Sequence, residues 1–302
     1  MPASPLEPVS VIIPTFNRAA FLDDAIASVF SQDYPCFELL VVDDGSSDQT
    51  RQLVERWERE VANGNCLHRG TGCGIQGGGE PAVLVELRYF YQENQGVSAA
   101  RNLGIKEARY DLLAFLDSDD RFRPGKLSLQ AAAMAAEPEI PLSHTEEIWW
   151  RNGRHLNQKR RHRKEGGDLF ARSLELCVLG MSTVMLRRWV LDEIGLFDQS
   201  MPCCEDYDLW LRLSARYPVL FIDKPLTEKH GGRPDQLSVQ HRVGMDRFRI
   251  TALNKLLQSG VLNQSQRQQA AEELRRKCRI YGQGCLKHGR EEEARHYLSM
   301  IA

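Results

Sequence analysis

The feature that most constrains this chain is a unit repeated through its first half: a short apolar run, an acidic or proline turn, then a segment with helical spacing. Residues 9–13 are apolar and β-branched and stop at Pro14, which reads as a buried strand. Phe21, Leu22, Ala25, Ile26, Val29 and Phe30 then fall on one helical face within 19–33. A second apolar strand, 38–42, closes in Asp43-Asp44-Gly45-Ser46, and Ser47 or Asp48 can cap a helix running to about Val61. Residues 83–91 form a third strand and 96–109 a helix. Residues 112–116 form a fourth strand that runs into Asp117-Ser118-Asp119-Asp120, with Pro124 in the first turn of a helix extending to about Glu137. Strand and helix in alternation predict an α/β fold, a mostly parallel Rossmann-like sheet flanked by crossover helices.

The second half is less regular. Residues 144–150 and 182–186 read as strands, with a basic loop and a helix (168–178) between them. Residues 205–217 form an amphipathic helix, with Leu209, Leu213 and Tyr217 on one face, and 219–222 a last strand. From about Gly244 the pattern is helical only. The expected organisation is one domain over 1–243, with a glycine-rich surface insertion at 63–81, followed by a helical tail over 244–302. At 302 residues, 42% hydrophobic and net charge −2, nothing in the composition calls for nucleic acid. No apolar run is long enough to span a bilayer, and the N-terminus lacks the pattern of a secretory leader, so the cytoplasm is the expected compartment. The eight cysteines contain no C-x-x-C pair and read as reduced thiols.

Four stretches carry chemistry. Asp117 and Asp119 lie two apart after a buried strand, so they can share a face, and ligands of open α/β sheets bind at that edge. A hard divalent ion bound to a diphosphate takes one or two such carboxylates. A solvated acidic turn before the next helix would explain the same residues. Asp44 could accept a hydrogen bond from a base N–H, although D-D-G-S is also ordinary turn chemistry. Glu205 and Asp206 open a helix, where carboxylates are stabilised by free N–H groups; Asp206 could equally serve as a general base, with Trp210 one turn on as a stacking or packing surface. His230, in Lys229-His-Gly-Gly-Arg-Pro-Asp235, is a candidate ligand for an ion such as Mn²⁺ or a structural histidine.

Together these stretches resemble the family 2 glycosyltransferases and their GT-A fold. The match runs from Val9-Ser-Val-Ile-Ile-Pro-Thr-Phe-Asn-Arg18 through Val41-Val-Asp-Asp-Gly-Ser-Ser-Asp48 and Asn94-Gln-Gly-Val-Ser-Ala-Ala-Arg-Asn-Leu-Gly104. It continues through Leu116-Asp-Ser-Asp-Asp120, Gly195-Leu-Phe-Asp198 and Glu205-Asp-Tyr-Asp-Leu-Trp-Leu-Arg212, covering about residues 8–240. The resemblance implies a donor half (about 1–120) and an acceptor half (about 121–243). It implies an inverting transfer of a sugar from a nucleoside-diphosphate donor to a glycan, lipid-linked or small-molecule acceptor, with Mg²⁺ or Mn²⁺ as cofactor. Pro14, Thr15, Asn17 and Arg18 would wall the nucleotide, Asp44 would contact the base, and Arg101 would help hold the nucleotide. Asp117 and Asp119 would meet ribose and metal–diphosphate, with His230 a late metal contact. Asp206 would be the catalytic base and Glu205 an acceptor contact. UDP is the carrier this family uses often, with dTDP and GDP open. The usual setting is synthesis of a cell-surface polysaccharide or glycolipid, at the inner face of a membrane, and the helical tail is a candidate dimerisation or membrane-docking element.

Other readings compete. A non-catalytic nucleotide-sugar or partner-binding module would share the fold without turnover. A nucleotidyltransferase would need a glycine-rich phosphate loop where this chain has Pro14-Thr-Phe-Asn-Arg18. Gly72-Cys-Gly-Ile-Gln-Gly77 satisfies G-x-G-x-x-G but follows no strand, so it reads as a flexible loop. The basic run at 151–164 reads as a solvated loop or as a contact to a phosphate-bearing acceptor at a membrane surface. It carries no stacking aromatics of the kind that single-stranded nucleic acid requires. Trp149-Trp150 reads as core packing, with sugar stacking the alternative.

Overall fold

The computed structural model describes residues 6–64 and 84–301. The first half alternates β1 (Val9–Thr15), α1 (Ala19–Phe30), β2 (Cys36–Asp43), α2 (Thr50–Ala62), β3 (Leu84–Tyr91), α3 (Val97–Glu107) and β4 (Leu112–Phe115). These strands pair in parallel, β3-β2-β1-β4. Side chains alternate across a strand, and here both alternations are buried. Val9, Val11 and Ile13 enter one apolar core with α1 and α2, while Ile12 enters a second core on the opposite face. Leu40 and Val42 of β2 and Leu113 and Phe115 of β4 join that second core. A sheet covered on both faces needs apolar residues at every position, which is why these strands appear in the sequence as continuous runs.

Beyond β4 come β5 (Arg121–Phe122), α4 (Lys126–Ala136), β6 (Leu142–Arg151), β7 (Arg154–Leu156), α5 (Phe170–Glu175), β8 (Met185–Arg187), α6 (Trp189–Ile194), α7 (Glu205–Ser214) and β9 (Leu220–Gly231). They extend the sheet as β4-β8-β6-β9-β5, with β7 paired to β6. Strand β8 is antiparallel to both β4 and β6, while β6 and β9 pair in parallel, so the sheet as a whole is mixed but mostly parallel. Strand β9 is far longer than the four residues its apolar start suggests. The register against β6 slips where Pro225, which has no N–H to give the ladder, meets Glu146, and then resumes through Gly231. His230 therefore sits on a strand, opposite Trp150, and not in a glycine loop.

Other boundaries also move. The expected strand at 182–186 opens as a 3-10 turn, Met181–Thr183, and the helix expected over 168–178 shortens to α5. Pro124 lies in the turn before α4, whose N-cap is Gly125. Trp210 is buried in the second core, so of its two readings, stacking or packing surface, it is the packing one. Cys36 is disulfide-bonded, a correction to the reading of all the cysteines as reduced; spacing along the chain does not reveal which thiols the topology brings within bonding reach. The glycine-rich insertion falls almost wholly outside the described residues, and its G-x-G-x-x-G stretch entirely so.

The chain ends in α8 (Leu237–Gln240), α9 (Met245–Gln258), α10 (Gln264–Lys287) and α11 (Glu291–Ser299). Asn263 and Gln266 form a reciprocal capping box at the start of α10. The tail is packed onto the sheet-bearing part. Ile250, Leu253 and Leu256 of α9 and Ala270 and Leu274 of α10 form a third core with Phe170, Leu174, Tyr207 and Leu211. No helix among the described residues is long and apolar enough to cross a membrane.

Helix α3 lies against β1 and β2 at Gly104, where an added Cβ would stand 2.5 Å from Ile12 Cγ2. Alanine is the better helix former by about 1 kcal/mol, but here it would overpack the core. Gly104→Ala is expected to destabilise the protein by about 1–3 kcal/mol, read as a lower urea midpoint at unchanged m-value.

Candidate active site

Parallel strands end on one edge, and the turns leaving β1, β2 and β4 meet there. Asn17, in the left-handed region at φ 50°, bridges the first two turns: its Oδ1 accepts from Ser47 N at 2.8 Å and its N–H donates to Ser46 Oγ at 2.8 Å. Pro14 and Thr15 are buried in β1. The Asp44 carboxylate is buried and accepts from Gln92 Nε2 (2.6 Å), Gln95 N (2.9 Å) and Gly96 N (2.8 Å), which draws the start of α3 to the end of β2. With both oxygens engaged, Asp44 organises this edge and retains limited accepting capacity for a ligand.

Arg101 of α3 joins the two halves of the site. It is buried, and its guanidinium donates to Asp117 Oδ1 at 2.8 Å and to Glu205 Oε1 at 2.6 Å. Asp117, at the end of β4, keeps part of its side chain exposed, whereas Glu205, first residue of α7, is buried. Burial pushes the Glu205 carboxyl up, Arg101 opposes that, and Asp206 adds to it. Glu205 thus faces a protein partner and is less open to an acceptor than the sequence suggested. Asp206, the next residue, is half-buried, and its Oδ2 accepts from Cys177 Sγ at 3.3 Å. The pair is preceded by Cys204 in the left-handed region, φ 64°, a conformation costly for a residue with a Cβ and held here by the third core.

Asp119 is mostly buried. Its Oδ2 accepts from Arg18 (2.7 Å), from Gln236 Nε2 (3.0 Å) and from Arg233. Asp120, absent from the candidate set, is buried and accepts from Ser182 Oγ at 2.7 Å and from the backbone N–H of His230 at 2.9 Å, which ties β4 to β9. Burial, reinforced by Asp119 and Asp117, pushes its carboxyl well up. The His230 ring stacks on Trp150 and lies 3.7 Å from Glu228. Burial and then Arg121 push the imidazole down, so it favours the neutral form.

No group of three His, Cys, Asp or Glu side chains among the described residues stands together as a metal site. Asp117, Asp119 and His230 do not stand together as such a group; the His230 ring lies stacked on Trp150, its Nε2 3.7 Å from Glu228. The two aspartates alone are the oxygen donors suited to an ion whose remaining ligands are phosphate and water.

Two cationic groups missed in the sequence complete the site. Arg233 holds Asp119, and Lys229, an exposed residue of β9, stands among acids. Glu147, Asp120, Asp117 and Asp206 surround Lys229 and favour its charged form. Both lie in the stretch singled out for its histidine. The signal was present, but which side chain of a strand faces a site depends on register. Glu147 and Cys177 carried no local signal at all.

Beneath the site, buried Glu147 pairs with Lys164 at 3.2 Å. Burial opposes its ionisation, yet Lys164 and then Lys229 hold its carboxyl down to about 2. Burial, then Lys164, holds the His144 ring down to about 3. Unfolded, these two groups take up protons near the ordinary values of 4.5 and 6.5, so each binds protons more readily in the unfolded chain and the stability they contribute falls as pH drops. The loss is expected to begin below about pH 6.5 and to reach several kcal/mol near pH 3. Chemical denaturation across pH 4–7 would measure it, and His144→Gln should flatten the upper part of the slope.

The fold and the convergence of carboxylates at the strand ends define a GT-A type architecture, the fold of nucleotide-sugar glycosyltransferases. Residues 1–349 of S. aureus TarS, solved in complex with UDP-GlcNAc, superpose at a TM-score of 0.71 with 22% identity, covering 96% of this chain and 78% of that one. The mannosyltransferase PcManGT from Pyrobaculum calidifontis, solved with GDP-Man and Mn²⁺, gives a TM-score of 0.64 at 15% identity over 99% of this chain and 77% of that one. The model of glycosyl transferase family 2 matches residues 10–77 and 84–195, and the chain belongs to that family. An uncharacterized glycosyltransferase of Rickettsia felis is 31% identical over 226 residues, which is 73% of this chain. The matched region spans about a third of that protein's length, 32%. The putative teichuronic acid biosynthesis glycosyltransferase TuaG of Bacillus subtilis is 31% identical over 127 residues, 42% of this chain and 41% of TuaG.

Proposed function

We propose that this chain is an inverting glycosyltransferase that moves a sugar from a nucleoside-diphosphate donor, UDP-linked, to an acceptor hydroxyl, in the synthesis of a cell-surface polysaccharide or glycolipid. The observation that carries this reading is the Arg101 bridge. It brings Asp117, at the strand edge where a nucleotide binds in open α/β sheets, to the helix start that presents Asp206. The solved TarS complexes with UDP and UDP-GlcNAc support the choice of carrier. TuaG and a Campylobacter jejuni protein named as a GalNAc(5)-diNAcBac-PP-undecaprenol beta-1,3-glucosyltransferase, 32% identical over 122 residues (40% of this chain and 32% of that protein), support the setting. The expected place of action is the inner face of a membrane.

In this reading the turns of Asn17 and Asp44 hold the nucleoside, and Asp117 and Asp119 face the diphosphate. Mg²⁺ or Mn²⁺, held by those two aspartates and by phosphate oxygens, would supply Lewis-acid stabilisation of the leaving diphosphate. Asp206 accepts the proton of the acceptor hydroxyl as that oxygen attacks the anomeric carbon opposite the leaving group. Arg101 and Glu205 fix the position of Asp206 from inside the protein, and Lys229 places a positive charge among the acids of the cleft.

Calorimetric titration with UDP, GDP and dTDP, each with and without Mn²⁺, is expected to give metal-dependent binding of UDP. A folded protein that binds none of the three would instead be a non-catalytic module. Asp206→Asn should lower the transfer rate by roughly 10²–10⁴-fold while donor affinity stays within about twofold. A proton NMR record of the first product formed should show the anomeric configuration inverted, and retention would sink the single-displacement mechanism.

A further inference from the structure

The β6–β7 hairpin and the segment after it carry Arg151, Arg154, Lys159, Arg160, Arg161 and Arg163, all exposed, with no acidic residue among them, in a chain of net charge −2. Among the described residues none of these cations forms an ion pair, and Lys164 alone in the run turns inward, to Glu147. The hairpin is a built projection. Arg151 pairs with Arg154 across a two-residue turn in which Asn152 (φ 48°) and Gly153 (φ 74°) both take the left-handed conformation of a tight hairpin. Gln158 Nε2 donates to the Glu147 carbonyl at 2.6 Å, and the Arg172 guanidinium donates to the Arg163 carbonyl at 2.8 Å, so the run is fastened to the body while its charged ends stay in water.

Apolar side chains are exposed on the same part of the molecule. Leu156 lies within the basic run. Asn152 N donates to the Gly231 carbonyl at 3.1 Å and Gly232 N to Gln236 Oε1 at 2.9 Å, which joins the hairpin turn to the start of α8. From there Leu237, Val239 and Val243 are exposed, Val243 at 83%. The same junction carries Arg233 and Gln236, which hold Asp119, so this surface borders the cleft.

We infer that this face docks the protein on an anionic lipid bilayer, with the hairpin cations against the headgroups and Leu156, Leu237, Val239 and Val243 in the interfacial layer. Clustered Lys and Arg are attracted to an anionic leaflet by about a factor of five per residue, and apolar side chains beside them add a contact that salt does not screen. A soluble polyanion would satisfy the cations and leave the four apolar side chains in water. Docked in this way, the cleft borders the bilayer, which suits a lipid-borne acceptor. That last consequence rests on the transferase reading, whereas the docking itself does not.

Co-sedimentation of the full chain with phosphatidylcholine vesicles, and with the same vesicles enriched in phosphatidylglycerol, tests the inference. Binding is expected to the anionic vesicles alone. The pair Arg160→Gln and Arg161→Gln should lower the partition coefficient roughly 20-fold, and Val243→Ser severalfold. All these side chains are exposed, so circular dichroism should be unchanged, and donor titration of the same variants should match the parent, keeping this result separate from the transferase reading. A folded chain that ignores anionic vesicles overturns the inference. So does vesicle binding that Val243→Ser leaves intact while inorganic polyphosphate binds as tightly, because the surface would then be a site for a free polyanion.

Discussion

A guanidinium buried without matching charge costs several kcal/mol, and a carboxylate left beside it after its removal costs as much. Arg101 meets that demand with two carboxylates contributed by parts of the chain far apart in sequence. Its position on α3 is set by the close approach of that helix to β1 and β2, which a glycine at 104 permits. One buried cation thus connects the packing of the first half of the sheet to the end of β4 and to the first turn of α7. Burial raises the stakes of the geometry: were α7 displaced, Arg101 and Glu205 would each lose a charge partner in a poorly solvated place.

The helical tail bears on the same helix. Tyr207 and Leu211, on the inward side of α7, are covered by α9 and α10, and Lys255 of α9 pairs with Asp208 at 2.8 Å. Helix α7 therefore lies between two cores, with Leu209, Trp210 and Leu213 packed toward the sheet. A helix gripped on both sides can hold Cys204 in an unfavourable backbone conformation at its start and present Asp206 from a fixed place. The tail is, on this view, part of what positions the site, and its removal would expose the Tyr207 face.

Much of this was readable from residue order. The apolar runs at β1, β2 and β4, each closed by proline or aspartates, gave the parallel strands and the edge at which Asp44, Asp117 and Asp119 lie. The later strands were harder. Strand β9 begins with a short apolar run and continues through Pro225, Glu228 and Lys229, residues that do not advertise a strand; the partner strand β6 and a slipped register hold it in place. That is why His230 looked like a loop ligand and Lys229 passed unnoticed. Trp210 looked available for stacking because helical spacing reports which residues share a face, not which neighbour covers it.

Sequence alone determined the class of fold, the family, and the location of acids at strand ends, because these depend on local patterns of two to four residues: side-chain alternation, turn chemistry and helix starts. The tertiary structure alone decided how those acids are used. Asp119 is held by Arg18, Arg233 and Gln236, Asp117 and Glu205 share Arg101, and Asp120 is spent on joining β4 to β9. Charge and hydrogen-bond partnerships of this kind act over a few ångströms between residues that lie from 16 to more than a hundred positions apart. No spacing along the chain encodes which of them will meet, and only the packing of helices across the twisted sheet settles it.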